Sequence, residues 1–170
     1  MVLGNKFDIR RFSSQDSYGE LTVFLHRAYA PLLELGLRYV AAWQTEEITK
    51  ARCEAGECYI ALDEDLRLIG TICLKSPEHT RGCEWYDREG VAMFGQFAVD
   101  PTCQRNGLGT ALIAFAENRA REMGAEELAL DTAVPATHLI DYYTRRGYRL
   151  VGEAQWETTN YRSVIMSKRL

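Results

Sequence analysis

Val99-Asp100-Pro101-Thr102-Cys103-Gln104-Arg105-Asn106-Gly107-Leu108-Gly109-Thr110 reads as the end of a strand, a glycine-containing turn and the start of a helix. A proline at 101 cannot donate to a following ladder position, so the strand stops there. The first amides of a helix lack intrahelical partners, and the macrodipole places partial positive charge on them, which makes this segment a candidate anion site. Gly107 and Gly109 remove side chains that would hold a phosphate away and permit positive φ, and Arg105 adds a fixed positive charge. The same glycines also suit a plain strand-to-helix turn. The ligand is narrowed by two missing patterns: no G-x-x-x-x-G-K-[ST] of an NTPase loop and no G-x-G-x-x-G of a dinucleotide fold is present.

Working outward, residues 93–99 form the strand that feeds this turn, and Gly95-Gln96 inside it marks a bulge. The helix that follows, 110–123, gathers Leu112, Phe115, Ala116, Ala120 and Met123 on one face and stops at Gly124. Beyond it lie a strand over 128–133, a helix over 137–146 ending at Gly147, and a closing hairpin from 148–157 and 161–167. Upstream, a strand over 8–12 precedes a helix over 18–29 capped by Asp16 or Ser17, and Pro31 separates it from a second helical stripe over 32–43. A further helix runs from Thr45 to before Gly56, and 58–62 with 68–74 make a hairpin. Strand, helices, three strands, helix, strand, helix and two strands is the order of an α/β sheet with helices on its faces.

With 170 residues, 46% apolar and 26% charged, residues 1–170 read as a single soluble domain. Twenty basic against 24 acidic side chains give −4, which excludes a general nucleic-acid binder. No apolar run approaches the roughly 20 residues of a membrane span, and residues 1–12, with Lys6, Asp8, Arg10 and Arg11, hold no signal-peptide core. Cys53, Cys58, Cys73, Cys83 and Cys103 contain no C-x-x-C pair, so they read as reduced cytoplasmic thiols without a disulfide frame, zinc knuckle or other metal role.

Gln104-Arg105-Asn106-Gly107-Leu108-Gly109 resembles the Q/R-x-x-G-x-G/A signature of the GNAT acetyltransferase superfamily, and Phe97-Ala98-Val99-Asp100-Pro101 resembles its usual strand end. Tyr143-Thr144-Arg145-Arg146-Gly147-Tyr148 is similar to the family's Tyr-x-x-x-Gly-Phe/Tyr segment, so the diagnostic motifs fall within about residues 93–150. The resemblance implies a mixed, mostly antiparallel central sheet in which strands 93–99 and 128–133 are parallel neighbours that splay apart. Acetyl-CoA as acyl donor would lie in that slot. Backbone groups of Phe97 and Val99, with Ala98 between them in the cofactor site, would pair with the pantetheine arm like an added strand, and the Gln104 to Thr110 segment, with Arg105, Asn106, Gly107, Leu108 and Gly109, would receive the pyrophosphate. A homodimer is a family-level expectation.

The implied reaction is direct acetyl transfer to a primary amine of a small metabolite, with Tyr143 as the acid toward sulfur and a strand amide as oxyanion donor. A phenol with an ordinary pKa of about 10 stays protonated at neutral pH. Tyr142, about 100° around the same helix, is a rival, and only one of the pair is expected to face the slot. Ala136 stands where the family often has Asn, leaving His138 or Thr137 as substitutes. Glu84, Asp87 and Glu89 precede the key strand as candidate base or cation-attracting groups, or as a solvated acidic loop, and they lean the acceptor toward a cationic amine such as a polyamine, aminoglycoside or amino-acid derivative. Gln96 and Asp131, polar residues in otherwise apolar strands, are placed to reach the acceptor. His26 reads as a surface or core histidine, with no metal-ligand spacing to His79 and His138. Trp156 and Tyr161 read as hairpin or dimer packing rather than pocket walls. Arg145 and Arg146 either contact a cofactor phosphate or end a solvated helix. Alternatives are a non-catalytic acyl-CoA sensor and a protein lysine or N-terminal amine acetyltransferase.

Overall fold

The computed structural model describes residues 6–170; the start of the segment read as lacking a leader lies outside the described residues. Seven strands, β1 (Phe7–Arg11), β2 (Glu57–Asp63), β3 (Leu68–Lys75), β4 (Val91–Val99), β5 (Glu127–Ala133), β6 (Arg149–Ala154) and β7 (Ser163–Arg169), form one sheet in the order β1-β2-β3-β4-β5-β7-β6. Among the described residues only β4 and β5 are parallel neighbours. The helices are α1 (Tyr18–Glu34), α2 (Glu46–Glu54), α3 (Leu108–Glu122) and α4 (Thr137–Thr144). No helix of the described residues is long and apolar enough to cross a membrane.

Helix starts follow local chemistry: Ser17 accepts the amide of Glu20 at 3.1 Å and Thr45 that of Ile48 at 3.4 Å, each satisfying a donor the helix leaves free. The end of α1 corrects the expectation built on Pro31. Proline sits inside the last turns of α1, and the helix stops instead at Gly36, whose φ is +79°. Gly36 donates to the Leu33 carbonyl at 2.9 Å and Leu37 to the Leu32 carbonyl at 3.1 Å, the paired reversal bonds of a Schellman end. The expected second helix over 32–43 is therefore absent: the chain has already turned, and only a 3-10 turn, Val40–Ala42, remains.

The sheet alternates its side chains between two cores. Ile72 and Leu74 of β3 pack with Leu108, Leu112, Ile113 and Ala116 of α3, whereas Cys73 joins Leu21, Phe24 and Leu25 of α1 on the opposite face. Each such aliphatic or aromatic burial contributes about 1.5–3 kcal/mol.

The alternation is interrupted in β4. Thr71↔Ala98 and Cys73↔Gly95 are successive partners, so three steps of β4 match two of β3 and the expected bulge lies at Gln96, whose φ is +49°. Ala92 and Phe94 face α3 before the bulge; Phe97 and Val99 face it afterwards, while Ala98 goes to the α1 face. β4 pairs with β5 only over Val91, Ala92 and Met93, and the strands then part.

Arg119 of α3 clasps Glu57 of β2 through Nε at 2.8 Å and Nη2 at 3.0 Å, and this guanidinium holds the Glu57 carboxyl down at about 2. A carboxyl depressed in the folded state stabilises above its unfolded pKa of about 4.3 and loses that contribution as pH falls toward 2. Glu57→Gln is expected to cost about 1–2 kcal/mol at neutral pH and to flatten the stability loss between pH 4.3 and 2, as measured by urea unfolding across that range.

Candidate active site

Where β4 and β5 part, a cavity of about 960 Å³ opens between them, walled by α1, the N-terminus of α3, α4 and the loop between β6 and β7. The pleat of β4 aims its free backbone groups into this slot. Asp100 donates its amide to Ile69 of β3 at 2.8 Å, so in the three residues before it the alternation turns Val99 and Phe97 away from β3. The Phe97 carbonyl confirms this direction, because the Tyr29 hydroxyl reaches it from the slot side at 2.8 Å.

The turn into α3 is held open by two left-handed residues, Arg105 at φ +68° and Gly107 at +87°, which flank Asn106 and turn successive amides to one side. Ala111 is the first amide of α3 to bond back, to Gly107 at 3.0 Å; before it the Leu108 amide makes only a long bond to Asn106 Oδ1 at 3.5 Å, and the amides of Gly109 and Thr110 are first-turn donors without helical partners. Nothing lies within 4 Å of where a Gly107 Cβ would sit. Gly109 serves differently from the expectation: its φ is ordinary, and it is small because a Cβ there would lie 2.6 Å from the Tyr142 hydroxyl. Gln104, Arg105, Gly107, Gly109 and Thr110 line the cavity, as do Phe97, Ala98 and Val99. Leu108 is instead fully buried in the α3 core, and Asn106 stays exposed at the tip of the turn.

Tyr142 and Tyr143 both line the slot, which corrects the expectation that only one would. The slot wraps around the edge of α4, so neighbouring positions reach different parts of it. Tyr142 faces the α3 turn and carries the Arg146 guanidinium 3.4 Å from its ring centroid, while Arg146 Nη2 donates to the Thr110 hydroxyl at 2.9 Å. Arg146 thereby braces α4 against α3 at the anion-binding end; Arg145 also lines the cavity. Tyr143 packs deeper, against Phe94, Phe97 and Tyr148. Burial, reinforced by Tyr29 and its other phenolic neighbours, pushes its pKa well above the ordinary value.

At the other end stand Gln96, Asp131 and Arg52. Asp131 accepts from the Tyr86 hydroxyl and from Trp156 Nε1, each at 2.9 Å; burial raises its pKa despite these donors and the nearby charge of Arg52. Arg52 Nη1 donates to Gln44 Oε1 at 2.6 Å, and Gln44 Nε2 donates to Gln96 Oε1 at 2.9 Å. Tyr39 is fixed by Thr132 at 2.8 Å and stacks on Tyr161 at 4.8 Å. Trp156 and Tyr161 are walls of the cavity, contrary to their reading as hairpin or dimer packing, because the turn between β6 and β7 folds over the slot.

Glu84, Asp87 and Glu89 are exposed on the loop before β4 and line no part of this cavity, so the acidic mouth expected from them is absent there. His138 lines the cavity; His26 lies outside it, with Nε2 2.8 Å from the Gln44 carbonyl. Arg52, Tyr29 and Tyr39 carried no motif in the sequence. Tyr29 and Tyr39 are polar tips on apolar stretches, and Arg52 is one of several charges on the polar helix α2.

A model of the acetyltransferase (GNAT) family matches residues 24–148, and the chain belongs to that family. It is an acetyl-CoA-dependent N-acetyltransferase. It is similar to S-(2-succino)cysteine N-acetyltransferase of Bacillus subtilis (strain 168), 33% identical over 153 residues that cover 89% of this chain and 87% of that protein. A crystal structure from Pyrococcus horikoshii OT3 superposes with a TM-score of 0.74 at 18% identity, over 96% of this chain and 98% of the other. A GNAT family acetyltransferase from Elizabethkingia anophelis with acetyl-CoA bound gives 0.65 at 14% identity, over 98% and 99%. These two likenesses show the fold.

The uncovered amides and the open Gly107 suit the pyrophosphate of such a donor. Gly107→Glu is expected to abolish acetyl-CoA binding in calorimetry by setting a carboxylate against that pyrophosphate. Gly107→Ala, which adds only the left-handed penalty of about 1–2 kcal/mol, should weaken stability more than binding.

Proposed function

We propose that the whole chain acts as one catalytic domain that acetylates the amine of a small acceptor carrying a carboxylate beside that amine, an amino-acid derivative rather than a polyamine. The observation that carries this reading is that one carboxyl, Asp131, and one guanidinium, Arg52, both line the slot, each held by other partners rather than by one another. A zwitterionic acceptor matches both charges, whereas a polyamine would leave the guanidinium facing like charge. The relative named for S-(2-succino)cysteine acts on an acceptor of this kind. The aromatic walls Tyr39, Trp156 and Tyr161 limit the acceptor to a small one.

Acetyl-CoA, when bound, supplies an acyl thioester. The amides of Phe97 and Val99 face the pantetheine arm, and β4 amides turned to the slot stabilise the charge that develops on the thioester oxygen. Asp131, more basic than an ordinary aspartate, holds the ammonium and takes its proton, leaving the neutral amine to attack. Tyr143 donates its phenolic proton to the departing sulfur; the second proton that the nitrogen loses as the amide forms restores the phenol, and the first, held on Asp131, passes to solvent. Burial of Tyr143 keeps that proton in place until a strong base appears beside it.

Free-thiol release measured over a panel of amines tests the assignment. Tyr143→Phe should lower kcat by about 100-fold while leaving acetyl-CoA affinity unchanged. Arg52→Met should raise KM at least about tenfold for amines bearing a carboxylate, the loss of one charge-assisted hydrogen bond, and leave KM for simple amines unaltered. Equal KM changes for both acceptor classes would overturn the zwitterion reading.

A further inference from the structure

Behind the acceptor end, α2, β2 and β3 each bring one cysteine to a single buried point. Cys53, Cys58 and Cys73 are all free, and their Sγ atoms lie within 4.8 Å of one another. Cys58 and Cys73 are cross-strand partners in the β2/β3 ladder, and Cys53 descends on them from α2. The spacing in sequence hides the cluster; the sheet register and the helix creates it.

The cluster has a polar neighbour aimed at it. Gln96 Nε2 donates to Cys53 Sγ at 3.4 Å and to Cys73 Sγ at 3.3 Å, and the Thr71 hydroxyl lies 3.7 Å from Cys58 Sγ. The orientation of that amide is fixed, because Gln96 Oε1 is already used by Gln44 Nε2. At Cys53 donors directed at sulfur and the nearby charge of Arg52 favour thiolate, while the neighbouring sulfurs and burial push Cys58 and Cys73 upward, so the three sulfurs share their protons unequally. Three small apolar residues filling a core would need none of this.

We propose that Cys53, Cys58 and Cys73 form a three-sulfur site for a soft, thiophilic d10 cation such as Cd(II), Zn(II) or Cu(I), with Gln96 as the outer donor that steadies the sulfurs. With metal–sulfur bonds of about 2.3 Å, three sulfurs around one ion stand about 4 Å apart, so the observed cluster needs to contract by only about half an ångström at each sulfur. Soft thiolate donors select this group of ions over magnesium or calcium. Each metal–sulfur bond replaces an S–H bond where the sulfur is protonated, and that proton passes to solvent; no electron is transferred. The proposal is independent of the acceptor assignment, since binding at the cluster is read without turnover.

The test uses the full chain carrying Cys83→Ala and Cys103→Ala, which removes the two thiols outside the cluster. Titration with Cd(II), followed by the ultraviolet thiolate-to-cadmium absorption and by proton release in weak buffer, should saturate at one ion per chain. Loading should also raise the thermal unfolding midpoint with Cd(II) concentration. Cys53→Ala in that background should reduce the absorption of the bound ion and weaken binding. Gln96→Leu, which keeps all three sulfurs, should keep the absorption per bound ion and lower affinity by about 10–100-fold. The absence of a saturable one-ion signal in the folded background protein would overturn the site. So would a signal of unchanged size and affinity in Cys53→Ala.

Discussion

The structure depends on a backbone that is left unfinished. A strand inside a sheet satisfies its amides and carbonyls on both sides, and buried groups without partners carry a large penalty. Past Met93, β4 keeps β3 on one side and loses β5 on the other, so Phe97 and Val99 present polar groups to an interior cavity. The bulge at Gln96 makes this possible because it adds one residue and turns the strand. Tyr29 satisfies one of the exposed carbonyls from α1; the remaining groups are available to a ligand that behaves as an added strand.

The electrostatics of the slot divide along its length. At the α3 end the positive charge comes from backbone amides, the helix dipole and Arg146, the last held by Tyr142 and Thr110. The middle is lined by phenols, and burial keeps those of Tyr29, Tyr39 and Tyr143 protonated and neutral. At the far end stand the carboxyl of Asp131, raised by burial, and the half-buried guanidinium of Arg52.

The α3 end was legible in the sequence because its chemistry is local: a strand end, a turn and a helix start in one continuous segment. The bulge was legible for the same reason, since Gly95-Gln96 interrupts an apolar strand. The end of α1 was misplaced because Pro31 is a conspicuous breaker, while the tertiary reversal at Gly36 that closes the helix depends on bonds to Leu32 and Leu33. The end of the slot away from α3 was largely illegible. Arg52, Tyr39, Asp131 and Trp156 come from four elements and meet only through the sheet order, and Glu84 and Glu89 lay close in sequence to the key strand without folding toward it. The thiol cluster shares this character, for it exists only in the register of β2 on β3 with α2 laid across them.

The Schellman reversal at Gly36 has a consequence beyond ending a helix. It sends the chain back so that Leu37 packs with Ala133, Ala136 and Tyr161, while Asn160 bonds to the Gly36 carbonyl at 2.8 Å and accepts from the Arg38 amide at 2.9 Å. The segment after α1 and the turn between β6 and β7 are thus latched to one another across the end of the slot away from α3. A change in either segment therefore shifts the shape of both, so this end of the slot is set by two stretches far apart in the chain, whereas the α3 end is shaped by one continuous stretch.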